Sequence, residues 1–131
     1  RKETIENFRQ FCEFIAEPAF EALEEELKAY QIRAKHATGK GRSVGLQLSF
    51  PRSKDDHFHY TIVLPKNSVE LKLQVLVRGR RTPNGPFEEK REPFLPGTPP
   101  EKMIKLAKEE LLAAVIARYR DFVLESMSPG E

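Results

Sequence analysis

The sequence predicts an α+β two-layer sandwich: an antiparallel meander of four strands, or five, with an N-terminal and a C-terminal helix packed on one face. Three observations predict it. The apolar period is near 3.6 residues up to residue 29, switches to 2 between residues 30 and 78, and returns to 3.6 from residue 99. Short turns join the alternating runs, which makes consecutive strands antiparallel neighbours. Each run is apolar on one side and polar on the other, so the sheet is expected to bury one face and leave the other open. The 131 residues fit a single domain, 1–131.

The first helix is predicted over residues 4–29. Ile5, Phe8, Cys12, Ile15, Ala19, Leu23 and Leu27 recur at three- and four-residue steps and gather on one face, widened by Phe11, Phe14 and Phe20. Thr4 is placed to cap it. Pro18 lacks an amide hydrogen and crowds the carbonyl of Phe14, which predicts a kink.

Strands are predicted over residues 30–36, 44–50, 57–64 and 69–78. The first two flank the glycine-rich loop from Thr38 to Ser43 and read as a hairpin. Residues 79–97 form a proline-rich loop with an optional edge strand at Phe87–Glu92. The last helix is predicted over residues 99–123, with Thr98 and Glu101 as a capping box and Pro99 in the first turn. Val115, Tyr119, Phe122 and Val123 belong to its apolar face, and Ser128-Pro129-Gly130 closes it.

Charge is segregated along the chain. The net charge is +2, but residues 1–29 hold four Lys or Arg against eight Asp or Glu, and residues 30–91 hold thirteen against five. Residues 92–131 hold five against seven. A basic middle attracts acidic partners. By strict alternation the open face receives Gln31, Arg33, Lys35, Gly45, Gln47, Ser49, His57, His59, Thr61 and Val63. From the fourth run it receives Glu70, Lys72, Gln74, Leu76, Arg78 and Arg80. Arg33, Lys35, Lys72, Arg78, Arg80 and Arg81 are therefore the candidate binding residues. None of the outward set is aromatic, which favours a protein partner over a single-stranded nucleic acid.

The expected function is that of a non-enzymatic interaction module, a domain or subunit of a larger assembly. The partner is an unidentified protein, or a second copy of the chain pairing through an edge strand. Nucleic-acid binding by residues 30–91 is the alternative. The third reading places a metal-dependent enzyme at His57 and His59, which strict alternation points the same way after Asp55 and Asp56. No catalytic residue and no cofactor are called for: the sequence has neither a Gly-x-Ser-x-Gly elbow nor a His-Glu-x-x-His helix, and Gly39-Lys40-Gly41 lacks the spacing of a phosphate loop. Cys12, the single cysteine, sits on an apolar helix stripe and reads as a buried inert thiol. No run is apolar enough to span a membrane, and the expected location is cytoplasmic. Arg1 in place of an initiator methionine predicts a chain trimmed from something longer.

Helix, strands, helix is also similar in order to the double-stranded-RNA-binding domain, with Lys102, Lys105 and Lys108 on the last helix. The extra strand, the longer first helix and Glu101 beside those lysines depart from that pattern, so no family is assigned.

Overall fold

In the computed structural model, which describes residues 2–126, the N-terminal run is a continuous helical rod. It comprises α1 (Lys2–Phe11), a π-helical turn (Cys12–Ala16), α2 (Glu17–Leu27) and a 3-10 turn (Lys28–Tyr30). The expected kink takes the form of the π turn. Its closing amide, Glu17 N–H, bonds the Cys12 carbonyl five residues back, just ahead of the proline that cannot donate. The wider turn rotates Phe14 off the stripe: it is 65% exposed, whereas Phe8, Phe11, Ile15, Phe20 and Leu23 are buried. Thr4 is not a cap. It lies inside α1, buried, and its Oγ1 donates to the Val69 carbonyl at 2.9 Å.

Five strands follow in a simple antiparallel meander: β1 (Ala34–Gly39), β2 (Ser43–Ser49), β3 (Asp56–Val63), β4 (Gln74–Gly79) and β5 (Glu88–Pro93). β1 starts later than its alternation suggests, because Gln31 takes a left-handed conformation at φ 60 and ends the 3-10 turn. Tyr30 is consequently outside the sheet and 70% exposed. β4 also starts late. The Lys72 amide bonds the Glu70 carbonyl two residues back, and this tight turn interrupts the extended run while leaving Leu71 and Leu73 buried. The optional strand in the loop forms as β5, an outer strand of charged residues.

The last helical region is split. α3 (Pro100–Met103) ends at Ile104, and α4 (Lys108–Ser126) begins four residues later. Thr98 makes no capping bond, and the N-cap is Pro99 in an extended conformation. Pro100 forces this, since a residue that precedes proline is driven out of the helical region. Between α3 and α4 the chain tightens through Lys105 N–H to Lys102 O and Leu106 N–H to Met103 O bonds, tucking Met103 and Leu106 into the core. The Val123 side chain and Ser128-Pro129-Gly130 lie outside the described residues.

The core lies between the helices and one face of the sheet. Phe8, Phe11, Cys12, Phe20, Leu111 and Val115 from the helical layer meet Val44, Leu46, Leu48, Phe58, Tyr60, Ile62 and Val75 from the strands. Full burial of each large apolar side chain contributes ~1.5–3 kcal/mol. The outward parity of β1 to β5 is left on the opposite, open face. Among the described residues no helix is long and apolar enough to cross a membrane.

Candidate binding face

The antiparallel registers line up the outward residues in rows across the strands. One row is Lys35, Gln47, His59, Arg78 and Glu89, and the next is Ala37, Gly45, Thr61, Leu76 and Arg91. A third is Gly39, Ser43, Val63, Gln74 and Pro93. Beyond the Lys35 row the pairing continues through Arg33 with Ser49, Ser49 with Asp56, and Arg80 N–H with the His57 carbonyl. Arg33, Lys35, Arg78 and Arg80 thus come together at one end of the open face.

Lys72 and Arg81 do not join them. Lys72 precedes β4 at the far end of the sheet and pairs with Glu70 at 3.5 Å. Arg81 is exposed in the bend that follows β4.

Not every cation on the face is free. Arg78 Nε lies 3.3 Å from a Glu89 carboxylate oxygen, and Arg80 Nη2 lies 3.1 Å from Asp56 Oδ1. Asp56 also accepts a hydrogen bond from His59. Burial alone raises the Asp56 carboxyl, but the His59 hydrogen bond and the nearby charges outweigh it and hold the group below its ordinary range. Arg33, Lys35 and Arg91 make no ion pair among the described residues. Arg91 donates only to the neutral Gln74 Oε1, at 2.8 Å.

Sequence reasoning missed Phe87. The cζ carbons of Arg78 and Arg80 each lie 4.5 Å from its ring centroid, and His59 meets the ring at 80° with centroids 5.2 Å apart. The open face therefore does carry an aromatic, contrary to expectation, but three side chains already surround it. Phe87 sits one residue before β5, where alternation extended back from Glu89 and Arg91 places it on this face; the proline-rich loop hid that signal.

The two histidines part company. Between Leu48 and Ser49 the β2–β3 register shifts, so His57 occupies a β-bulge and turns to the helix side with Phe58. His57 is buried, stacked on Phe50 with centroids 4.6 Å apart, and its Nε2 lies 3.0 Å from the Tyr119 hydroxyl. Burial lowers its proton affinity. The Leu48 and Ser49 backbone groups partly offset this, yet no hydrogen bond closes to Nδ1. The proposed His57–His59 metal pair is thereby lost, its members facing opposite sides of the sheet. Among the described residues no three His, Cys, Asp or Glu side chains are grouped to hold a metal ion. The Cys12 thiol is buried and pushed up to about 12, chiefly by desolvation and secondarily by Glu17.

Two concavities border the face. The larger, about 880 Å³, surrounds the start of β1 and is lined by Glu24, Glu25 and Lys28 together with Arg33, Lys35, Arg52 and Lys54. The smaller, about 390 Å³, runs along β1 and β2, where Ala37, Gly39 and Gly45 leave room. No protein-family model, curated protein or solved structure matches the chain.

Proposed function

We propose that this chain is a non-enzymatic binding module that docks an acidic protein surface on the open face of its sheet. The observation that carries the reading is the set of unpaired cations, Arg33, Lys35 and Arg91, on a face whose two carboxylates, Asp56 and Glu89, are already engaged by Arg80 and Arg78. Leu76 in the second row and Val63 in the third, both half-buried, supply apolar contact. Apolar side chains with arginine and other polar groups beside them are the usual ingredients of a protein contact. Binding of single strands by stacking needs free aromatic faces, and Phe87 is hemmed in by Arg78, Arg80 and His59.

The test uses poly-L-glutamate and a single-stranded homopolynucleotide as probes. The triple variant Arg33→Glu, Lys35→Glu, Arg91→Glu is compared with Lys102→Glu, Lys105→Glu, Lys108→Glu, which changes net charge equally at exposed sites outside the sheet. Folding should be retained in both, at about ±0.5 kcal/mol per exposed substitution. The first variant should bind polyglutamate at least about tenfold more weakly than the second. Equal loss in both contradicts the reading. Tighter binding of the polynucleotide, with a steep decline between low and moderate salt, supports the nucleic-acid alternative instead.

A further inference from the structure

The sheet has two outer edges, and they differ. In β5 the outward-facing backbone positions are Glu89, Arg91 and Pro93, because Phe94 N–H bonds the Leu73 carbonyl and the pairing alternates from there. Charge and a proline, which has no amide to offer, blunt that edge. In β1 the Ser49 amide bonds the Arg33 carbonyl at 2.9 Å, so Lys35, Ala37 and Gly39 share the bonding parity that faces β2. The amides and carbonyls of Ala34, His36 and Thr38 therefore point away from the sheet. None of them is bonded elsewhere among the described residues. β1 contains no proline, and the two concavities that border the open face lie against it, sharing Lys35 and Gln47.

The charges beside this edge select an occupant. On the open-face side stand Arg33 and Lys35, and Arg52 and Lys54 line the same concavity, none of the four in an ion pair among the described residues. On the helix side Glu24 is engaged by His36 at 2.6 Å and Glu25 by Lys28 at 2.5 Å. A second copy of the chain pairing through β1 would bring two sets of unpaired cations together, which like-charge repulsion across strands disfavours.

We propose that the outer edge of β1 captures an extended acidic segment of a partner protein as a sixth strand, its acidic side chains lying on the open face beside Arg33 and Lys35. This rests on the reading of that face as the seat of an acidic partner, and adds the backbone edge as the recognition element. Alternate residues of the segment then point to opposite sides, acidic toward the open face and neutral toward α2.

The probe is a fluorescent seven-residue peptide of alternating glutamate and threonine, followed by anisotropy with the intact chain. Two further peptides carry N-methyl groups, one on every glutamate amide and one on every threonine amide. Only one alternate set of amides can face β1. Methylation of that set should weaken binding by at least about tenfold, as expected from losing two or three hydrogen bonds, while methylation of the other set changes it less than about threefold. Thr38→Pro, which removes an outward amide without touching the β1–β2 ladder, should weaken the parent peptide similarly. Should that variant unfold, the methylated peptides on the unaltered chain decide alone. If both methylated peptides bind like the parent, or no peptide binds, the edge inference is overturned while the polyglutamate test of the face stands independently. If lysine in place of glutamate binds equally well, the acidic-partner reading itself fails.

Discussion

Replacing His57 with Phe probes the bulge that turns this residue into the core. The imidazole stacks on Phe50 and meets Tyr119 edge-on at 5.5 Å, so a phenyl ring fills the same slot. Two polar consequences oppose one another. The substitution removes the His57–Tyr119 hydrogen bond, worth ~0.5–1.5 kcal/mol, and it removes an unsatisfied buried Nδ1 that costs ~1–3 kcal/mol. At about pH 7.5 the variant should thus range from about 0.5 kcal/mol less stable to about 2.5 kcal/mol more stable. Acidification separates the two proteins further. Burial depresses the folded-state affinity of His57 for a proton, so the unfolded chain binds more protons below its ordinary value of ~6.5. The stability that neutral His57 contributes is fully present above that value and is lost as pH falls through the lower folded-state value. The Phe variant lacks this term, and every group common to the two proteins cancels in the comparison. Urea unfolding at about pH 7.5, 6.5 and 5.5 should show the variant's advantage widening on acidification, by up to about 1.4 kcal/mol per pH unit. A constant or shrinking advantage would refute the burial of His57 and return it to the open face.

Two other substitutions test packing near the site. A Cβ at Gly79 would lie 2.3 Å from the Phe122 ring, so Gly79→Ala should cost ~1–3 kcal/mol in urea unfolding, and a cost below about 0.5 kcal/mol contradicts the close approach of α4 to β4. Phe87→Ala removes two cation–aromatic contacts worth ~0.5–1 kcal/mol each, so thermal unfolding should register a loss of about 1–2 kcal/mol; an unchanged midpoint would show that Arg78 and Arg80 are not held by the ring.

Periodicity made most of the architecture legible. Val44, Leu46 and Leu48, like Phe58, Tyr60 and Ile62, alternate cleanly because one face of each strand is buried under helices. The side chains of Arg33, Lys35, Arg78 and Arg80 follow from the same rule. What alternation cannot see is a residue added to one strand. His57 and Phe58 both oppose Leu48 through the bulge, and since His57 is polar, an outward position looked natural for it. Nor does period 2 reveal where a run stops pairing: Leu71 and Leu73 continue the buried parity of Val75, yet a two-residue turn at Lys72 takes that lysine out of the sheet. The ion pairs that neutralise Arg78 and Arg80 depend on partners from other strands, Glu89 and Asp56, and local sequence carries no trace of those distances.

The measurement closest to the heart of the account is a map of backbone amide resonances as poly-L-glutamate is added. Shifts confined to Arg33, Lys35, Gln47, Thr61, Leu76 and Arg91, with those of α1, α2 and α4 unmoved, are the predicted result. Shifts concentrated on the helical layer, or spread evenly over every lysine and arginine of the surface, would contradict it.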